Sequence, residues 1–532
     1  MFDARPGDLN AASRARALTH IADTEVDVLV IGGGITGAGV ALDAATRGLS
    51  VALIEARDLA SGTSGFSSKL VHGGLRYLAK GDVALAWESA VEREALMRRI
   101  APHLVRPRAF LVPAFTGAGL RGRAGDALTE VGIRLADILR AASRLPASVL
   151  PRPRRVDPLA ARLLAPRLRE RGLRGGLVYW DGAVEDDARL VVALARTAAR
   201  HGAHIVTGCR ALRASDREVW IDDGAGRGER IVRARTVINA AGVWADDFAP
   251  ALPLTPSRGT HLVFPSALFG HPRAVMTAPV PGHFGRYVFV LPQSNGLCYL
   301  GLTDELAPGA DGYDPGVPAE DVDFLLRTAN ASLDVALDRG DILSAVSGLR
   351  PLIGGGGEDS ASASRRHLVR EAPGEPITIT GGKLTVYRRM AEDAVDAAVR
   401  RLGETPRSRP AVSRRVPVLG SPGSEVGGLG AGGGANWPGE DPDGAIAARL
   451  VRLYGWEAPR VSALAAADPE LQEDVAPGAG ITGAEVAFAV LAEGARSVED
   501  VLERRTRLAL RPELAREAQA RVTAILGELA EG

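Results

Sequence analysis

The sequence is poor in cysteine, in aromatic residues and in net charge. Only two of its 532 residues are cysteines, Cys209 and Cys298, and Phe, Trp and Tyr together make up 5%. Two cysteines cannot build a disulfide framework and show no metal-binding spacing, which is typical of a protein kept in a reducing compartment. Lysine plus arginine and aspartate plus glutamate each number 64, so no excess charge favours nucleic acid as a partner.

Long hydrophobic runs are also missing. No stretch of about 18 apolar residues is present that could cross a bilayer as a helix. Residues Met1–Glu25 are of mixed polarity and lack the apolar segment of a secretory signal, so we expect an extension that leads into the first strand. The chain is long enough for two or three domains with a large core.

A strand, a glycine-rich turn, a helix and a second strand follow one another in residues 26–55. Val26–Ile31 and Val51–Ile54 are short, apolar and rich in β-branched residues, as buried parallel strands are. Ile35–Arg47 between them is rich in small residues and suits a helix, with Gly48 as its C-cap. This order is the βαβ unit in which a G-x-G-x-x-G fingerprint binds a dinucleotide.

The glycine fingerprint consists of Gly32, Gly34 and Gly37. The first permits a tight turn, the second lets the backbone approach a pyrophosphate, and the third lets the helix pack closely on the strand. Glu55 ends the second strand and can accept hydrogen bonds from a ribose 2′-hydroxyl. A glycine-rich turn without a ligand is the alternative, which the complete βαβ context disfavours. The predicted nucleotide contacts, which do not distinguish NAD from FAD, are Gly32, Gly33, Gly34, Ile35, Thr36, Gly37 and Glu55.

Arginine is concentrated in residues 106–174, which contain fifteen arginines and five acidic residues. Two interpretations of an apolar stripe in this segment stay open. It belongs either to an ordinary amphipathic helix with a solvated basic face, or to a helix that lies in a membrane surface, where basic residues meet anionic headgroups. The stripe, at helical spacing, consists of Leu128, Val131, Leu135, Ile138, Leu139 and Ala142.

The rest of the chain divides into three parts. Residues 203–300 are mainly short strands bounded by Gly, Pro or Asp, which predicts an antiparallel substrate subdomain inserted beside the nucleotide-binding one within residues 26–410. Residues 411–440 are glycine-rich and predict a linker. Residues 441–532 predict a helical C-terminal domain, which we interpret as accessory.

Five motifs follow one another along the chain: V-I-G-G-G-I-T-G-A-G with Glu55, S-S-K-L-V-H-G-G-L-R-Y-L from Ser67, I-N-A-A-G-V-W-A-D from Ile238, S-G-L-R-P-L from Ser347 and G-G-K-L-T-V-Y-R from Gly381. Together they resemble the FAD-dependent glycerol-3-phosphate dehydrogenases, within the glycine- and D-amino-acid-oxidase-like flavoproteins. The helical tail, with E-R-R-T-R-L from Glu503, is similar to the family's C-terminal domain. The resemblance implies an α/β fold with a Rossmann-like FAD-binding domain, an inserted antiparallel-sheet substrate domain and an α-helical C-terminal domain.

The same resemblance implies a reaction. The family oxidises sn-glycerol 3-phosphate to dihydroxyacetone phosphate with FAD and passes electrons to a quinone, as a peripheral protein on the cytoplasmic face of the inner membrane. Three alternatives remain: an oxidase that uses dioxygen, an oxidase-like flavoenzyme acting on an amino or hydroxy acid, and a dinucleotide-binding regulator without turnover. No metal is expected, and a homodimer is left open.

The matching motifs also imply roles for single side chains. Arg76 and Arg350 are predicted to bind the substrate phosphate, to which the planar guanidinium is suited, although a surface salt bridge is the alternative for each. His72 is predicted to take the hydroxyl proton, and Tyr77 to orient the substrate. Lys383 is predicted to stabilise negative charge on the flavin or to hold the substrate. The residues predicted to line the flavin or the pyrophosphate are Ser67, Ser68, Leu70, Ala241, Gly242, Trp244, Gly382, Lys383, Leu384 and Thr385.

Overall fold

The computed structural model describes residues 2–74, 77–78, 81–116, 119–226, 228–280, 286–354, 366–403, 409–424 and 445–531. Strands and helices are numbered here in chain order. The helices of the described residues are α1 (Ala11–Asp23), α2 (Ile35–Thr46), α3 (Val83–Ala95), α4 (Gly119–Ala142), α5 (Pro158–Leu164), α6 (Asp187–Arg200), α7 (Ala319–Asn330), α8 (Tyr387–Leu402), α9 (Ala445–Tyr454), α10 (Ala458–Ala467), α11 (Gly483–Leu491) and α12 (Pro512–Glu531).

The first sheet is the mainly parallel sheet of a nucleotide-binding domain. Its path of strands runs β17-β18-β10-β1-β2-β7, with β9 paired to β10 and β8 to β9. The central strands β1, β2, β10 and β18 run parallel, as the βαβ pattern predicts. Its strands are β1 (Val26–Ile31), β2 (Val51–Ile54), β7 (His204–Val206), β8 (Arg210–Ala214), β9 (Glu218–Asp222), β10 (Arg230–Asn239), β17 (His367–Arg370) and β18 (Ile377–Gly381).

The second sheet is mainly antiparallel, as expected of a substrate subdomain, but the predicted location in residues 203–300 is only partly right. Its strands come from residues 70–184 and 254–353, whereas the strands of residues 204–239 pair in the first sheet because they continue the parallel βαβ order. The path runs β15-β11-β14-β13-β12-β4-β6-β3, with β16 paired to β11 and β5 to β6. The fold class inferred from the sequence is therefore confirmed. The strands are β3 (Leu70–Val71), β4 (Val105–Phe115), β5 (Arg154–Val156), β6 (Leu173–Val184), β11 (Leu254–Pro265), β12 (Val275–Pro279), β13 (Tyr287–Pro292), β14 (Leu297–Gly301), β15 (Glu305–Leu306) and β16 (Ser344–Ile353).

Small residues in α2 allow the helices to pack tightly on the parallel sheet. The buried faces of α2, α6 and α8 share one hydrophobic core with β1 and β2. At Gly39 of α2, a Cβ atom would lie only 2.9 Å from the ring of Tyr387, which begins α8. The small side chains that the sequence shows in α2 thus serve helix contact as well as nucleotide approach.

The N-terminal segment contains a helix that the sequence analysis did not predict. Helix α1 begins after Asn10, whose side chain accepts a hydrogen bond from the backbone of Ser13 in a capping box. Ala17, Leu18 and Ile21 are buried against the opposite face of the parallel sheet. Three apolar residues make too narrow a stripe to identify a helix from periodicity alone.

Part of the predicted glycine-rich linker is packed against the nucleotide domain. The Ser413 hydroxyl donates to Asp43 of α2 at 2.5 Å, and the backbone N–H of Val418 donates to the carbonyl of Ile100 at 2.9 Å. The buried Ser413 hydroxyl thus provides a hydrogen bond to a buried carboxylate of the nucleotide domain. Residues 411–424, called the strap below, are held against that domain by such contacts. The remainder of the linker, residues 425–440, lies outside the described residues, and its boundaries stay a prediction.

Buried arginines join the C-terminal helices to the nucleotide domain. From α6, Arg189 pairs with Glu493 at 2.6 Å and Arg196 pairs with Glu457 at 2.6 Å. In the opposite direction, Arg505 of the C-terminal domain pairs with Asp58 at 2.8 Å. Across the described residues, no helix is both long and apolar enough to cross a membrane.

Candidate active site

The glycine turn between β1 and α2 has the geometry that its sequence predicts. Gly32 has a positive φ of 107°, and a Cβ atom on Gly37 would overlap the carbonyl oxygen of Gly32. The N–H of Gly33 donates to Oε2 of Glu55 at 2.6 Å. At Gly34, the N-cap of α2, a Cβ atom would approach the Ser64 hydroxyl at 3.1 Å. Ile35 and Thr36 form the first turn of α2, and the N–H of Ile35 donates to the Ser64 hydroxyl at 2.9 Å. The positive end of the helix dipole at this turn suits a phosphate.

Glu55 is held by backbone groups at the end of β2. Besides Gly33, the N–H of Arg57 donates to its other oxygen at 2.8 Å. Burial raises the pKa of Glu55, and these hydrogen bonds oppose the rise. The carboxylate is therefore fixed beside the turn, where a ribose hydroxyl is expected.

The turn after β10 is shaped by an asparagine. The Asn239 side chain donates to the carbonyl of Ala245 at 2.8 Å and accepts from the N–H of Ala241 at 3.1 Å. Gly242 follows with a positive φ of 63°. The ring of Trp244 packs against that of Tyr313, with centroids 4.3 Å apart and ring planes tilted by 35°.

A buried carboxylate orients the predicted base. Nδ1 of His72 lies 3.3 Å from Oδ2 of Asp181, and Arg93 binds the other oxygen of Asp181 at 2.5 Å. Burial alone would raise the pKa of Asp181, but Arg93 and His72 lower it to about 2. The His72 side chain is 41% exposed, whereas Asp181 is buried. Asp181 therefore stays ionised at neutral pH and fixes the imidazole with one nitrogen toward the protein.

Tyr77 and Lys383 are distant in sequence, but their side chains contact each other. The ammonium nitrogen of Lys383 lies 4.1 Å from the centre of the Tyr77 ring, a cation–π contact. Lys383 is the N-cap of a short 3₁₀ turn that contains Leu384 and Thr385 and leads into α8. Gly382 before it has a positive φ of 70°.

A short loop before β3 brings serine and lysine to a buried acid. The Ser67 hydroxyl and N–H both donate to Oδ2 of Asp187, at 2.7 and 2.9 Å, and Lys69 pairs with its other oxygen. The next serine, Ser68, lies with its hydroxyl 3.2 Å from Nε2 of His261. Leu70 then begins β3, so this loop leads directly to His72.

Arg350 lies on β16, a strand of the second sheet. Its guanidinium pairs with Asp304 at 3.1 Å and donates to the Thr303 carbonyl at 3.3 Å. Burial, together with the charges of Arg350 and Lys69, lowers the pKa of His261 to about 3, so His261 is neutral at physiological pH. Arg350 is thus a cation anchored in an ion pair, as the salt-bridge alternative expects, and its charge acts on His261. Its role as a phosphate ligand stays a prediction. Arg76, the other predicted phosphate ligand, lies outside the described residues.

Sequence reasoning missed several members of this site. Asp181 was detectable as an acid inside the apolar strand β6, where a carboxylate needs a buried partner. Asp187 directly follows Asp186, the N-cap of α6, so its local signal is only that of a helix start. Arg93 and His261 carried no local signal, because their partners are distant in sequence. In the described part of the chain, no group of three or more His, Cys, Asp or Glu residues could hold a metal.

Comparison with known proteins gives the family. The model of the FAD dependent oxidoreductase family matches residues 27–388, and that of the C-terminal domain of alpha-glycerophosphate oxidase matches residues 423–531. The chain is 48% identical over 511 residues to glycerol-3-phosphate dehydrogenase 1 of Mycobacterium tuberculosis, covering 95% of both. The chain belongs to the FAD-dependent glycerol-3-phosphate dehydrogenase family.

More distant relatives agree with this family. The mitochondrial glycerol-3-phosphate dehydrogenase of Mesocricetus auratus is 35% identical, with 96% of this chain and 72% of that protein covered. The glycerol-3-phosphate dehydrogenase of Bacillus halodurans, solved in complex with FAD, has a TM-score of 0.68 and 26% identity, with 97% of each chain covered. The cofactor is FAD. The residues around the glycine turn fit it, because a Cβ atom at Gly33 or Gly34 would fill the cradle beside Glu55 and Ser64.

Proposed function

We propose that this protein oxidises the C2 hydroxyl of sn-glycerol 3-phosphate to give dihydroxyacetone phosphate and passes the electrons to a membrane quinone. The observation that carries the proposal is the contact of His72 with the ionised Asp181 in a chain of this family. Strand β3, which leads to His72, also contacts the 3₁₀ turn that follows Lys383. An alcohol oxidation needs a proton acceptor, and a phosphorylated substrate needs cations.

FAD supplies the hydride acceptor when it is bound. The residues that would hold it are the Gly32–Gly37 turn with Glu55 on the nucleotide side, and the Ser67–Leu70 loop with Gly382–Thr385 on the flavin side. The N–H groups at the start of α2 neutralise pyrophosphate charge. The ammonium group of Lys383 stabilises negative charge near the flavin or on the substrate.

His72 takes the proton of the substrate hydroxyl. Its Nδ1–H donates to Asp181, which leaves the lone pair of Nε2 as the proton acceptor. When Nε2 takes the proton, Asp181 stabilises the imidazolium that forms. Arg93, on the other oxygen of Asp181, keeps that carboxylate charged.

Arg350 and Lys383 provide the positive charge for the substrate phosphate in this proposal, with Arg76 as the third predicted cation. Arg350 is pre-positioned by Asp304 and by the Thr303 carbonyl. A guanidinium that is already oriented loses little conformational freedom when it binds a phosphate. This arrangement favours a phosphorylated alcohol over an amino acid without a second anion.

The anaerobic flavin spectrum tests this function. Purified holoenzyme is expected to bleach on addition of sn-glycerol 3-phosphate and to stay oxidised with glycine, D-alanine or lactate. Bleaching by an amino or hydroxy acid alone would replace the proposed substrate. A flavin that none of them bleaches would leave the dinucleotide-binding regulator as the better interpretation.

Dioxygen is the second candidate acceptor, because the family model that matches the C-terminal residues carries the name of an oxidase. Peroxide formed once per substrate in the absence of quinone would support it. Rapid reoxidation by a soluble quinone analogue, with little peroxide in air, supports the quinone.

An exposed apolar face on α4 supports attachment to a membrane. Leu128, Val131, Leu135 and Ile138 are between 46% and 62% exposed, although large aliphatic side chains on a helix normally face a core. Leu139 of the predicted stripe instead packs against the group around Tyr77 and Leu85. The apolar face therefore lies close to the proposed substrate site, as a protein that delivers electrons to a lipid-soluble quinone requires.

Basic and apolar groups near α4 enlarge this surface. Arg155 is paired with Glu130 of α4 at 2.6 Å, and Arg134 is exposed beside the stripe. On α5, Leu159 and Leu163 are also exposed. Arginines around an apolar face suit a helix lying among anionic headgroups, here those of the cytoplasmic face of the inner membrane.

Binding to vesicles tests the membrane surface. The double variant Leu135→Ser/Ile138→Ser is expected to bind vesicles with anionic lipid about tenfold more weakly or worse, because two aliphatic groups leave the bilayer boundary. Leu212→Ser, at an exposed leucine of β8, is the matched control and is expected to bind normally. Equal binding by both variants would assign the stripe another role.

A further inference from the structure

Arg507 of the C-terminal domain reaches into the nucleotide domain beside the Ser67–Lys69 loop. It lies between a π-helical segment, Asp500–Arg505, and a short 3₁₀ turn, Leu508–Leu510. Its φ is positive, at 60°. A non-glycine residue in this region is strained, and surrounding contacts must hold it there. Its side chain is only 11% exposed.

The guanidinium group of Arg507 makes contacts with three residues of the first domain. Nε donates to Oδ2 of Asp186 at 2.7 Å, and Nη1 donates to the carbonyl of Gly65 at 3.0 Å. Nη2 pairs with Oδ1 of Asp187. Two adjacent carboxylates and the backbone just before Ser67 are therefore bound by one side chain from the C-terminal domain.

Asp187 also holds the loop that leads to β3. Ser67 donates to it twice, through its N–H and its hydroxyl, and Lys69 pairs with the oxygen that Arg507 binds. The backbone N–H of Lys69 in turn donates to the Ser67 hydroxyl at 3.0 Å. Lys69 has a positive φ of 57°, so this loop conformation also depends on its partners.

The cluster balances two carboxylates, Asp186 and Asp187, with two cations, Lys69 and Arg507. All four are largely buried, where an unbalanced charge is much more costly than at the surface. Without Arg507, the cluster would keep one net negative charge beside the loop and lose its tie to Gly65.

We propose that Arg507 is a positioning residue for the flavin site. Through Asp187 it fixes Ser67 and Lys69. These contacts hold the loop that lines the flavin and position β3, which leads to His72. The C-terminal domain then completes the flavin site and is more than the accessory unit expected from sequence. This inference rests on FAD binding and on the predicted placement of Ser67 and Ser68 beside the flavin, and it is independent of the substrate.

The test compares full-length Arg507→Met and Arg507→Lys with Arg196→Met. Arg196 is the matched control, because it is a buried arginine of the same domain interface, bound to Asp8 at 2.8 Å and Glu457 at 2.6 Å, away from the Ser67 loop. Three quantities are measured without substrate: the FAD dissociation constant, the flavin midpoint potential and the thermal unfolding temperature.

Arg507→Met is expected to bind FAD about tenfold more weakly, since a charge-assisted anchor of the loop is lost. Its midpoint potential is expected to shift to more negative values, because the uncompensated carboxylate opposes the charge that reduction adds to the flavin. Arg507→Lys is expected to recover the potential in large part while keeping weakened FAD binding. Arg196→Met is expected to lower the unfolding temperature and leave both flavin quantities unchanged.

Equal FAD affinity and potential in Arg507→Met and the wild type would overturn the proposal, as would equal changes in Arg196→Met. Should Arg507→Met fail to fold, Arg507→Lys decides, because an unchanged FAD affinity in that variant contradicts the proposal. The result does not depend on glycerol 3-phosphate, so failure of the proposed substrate would be recognised separately by the bleaching experiment.

Discussion

The nucleotide turn takes its groups from residues 26–55, whereas the proposed catalytic groups come from segments spread between His72 and Lys383. In the turn, the strand, the glycines and Glu55 are local, and each residue type has one geometric task. On the catalytic side, His72 depends on Asp181 and Tyr77 faces Lys383, so every pair is formed by the fold. Cofactor binding can therefore be predicted from the local sequence of the turn. The catalytic pairs show how a general fold acquires a particular chemistry.

The strongest support for this comparison would be variants that lose catalysis without losing FAD, and variants that lose FAD. His72→Asn is expected to slow anaerobic flavin reduction by glycerol 3-phosphate about thousandfold, because the proton acceptor is removed. FAD content is expected to stay unchanged, since His72 does not contact the glycine turn. Stopped-flow absorbance gives the rate and the spectrum gives the FAD content.

Asp181→Asn serves as the companion variant of His72→Asn. Here flavin reduction is also expected to slow, by less than in His72→Asn, because the imidazolium that forms loses its carboxylate partner. Wild-type reduction rates in His72→Asn or in Asp181→Asn would contradict the assigned roles.

The opposite failure is expected for Gly37→Ala. Its new methyl group would overlap the carbonyl of Gly32, so the α2–β1 contact must open and FAD is expected to bind about a hundredfold more weakly. Flavin absorbance per protein measures the loss, and circular dichroism confirms that the chain has folded. Gly527→Ala, on α12 with open space around it, is the control and is expected to retain FAD. Retention of FAD by Gly37→Ala would show that the turn tolerates a side chain.

Sequence reasoning reached the architecture and the nucleotide turn because both rest on local patterns. Strands β1 and β2 and helix α2 between them lie where composition and spacing predict them. Helix α1 was missed because its apolar stripe is short, and Arg93 because its partner Asp181 is distant in sequence. Long-range ion pairs leave no periodic signal, so the pairing of the catalytic groups required the fold.

A smaller effect is expected at Lys383, where the two regions meet. Lys383→Met keeps the length of the side chain and removes its charge, so kcat/KM for glycerol 3-phosphate is expected to fall about tenfold to thirtyfold. Lys383→Arg is expected to recover part of the loss, since a cation over Tyr77 is restored. If Lys383→Met changes the flavin potential and leaves KM alone, its charge acts on the flavin; the reverse result assigns it to the substrate. No change in either would remove Lys383 from the site.

The smallest expected effect on flavin reduction concerns two buried histidines, one beside the proposed catalytic groups and one beside the strap. His261 touches Ser68 near the proposed catalytic groups, whereas His103 touches Ser421 of the strap at 3.0 Å. Burial is the main cause that lowers the pKa of each to about 3, and neighbouring positive charges add to it. Between pH 6.5 and 3 the unfolded chain takes up a proton that the folded imidazole does not, so stability is present above pH 6.5 and is lost as the pH falls.

Each histidine is therefore expected to make the free energy of unfolding fall as the pH drops below 6.5. His261→Gln and His103→Asn keep a hydrogen-bonding group at the nitrogen in use and remove the titration. Urea midpoints at several pH values are expected to show a shallower loss of stability in both variants. Flavin reduction is expected to slow only in His261→Gln, because only that ring adjoins the flavin-side loop. Equal slowing in His103→Asn would mean that the catalytic surface and the strap are coupled, and that the division between the two regions is less sharp than their contacts indicate.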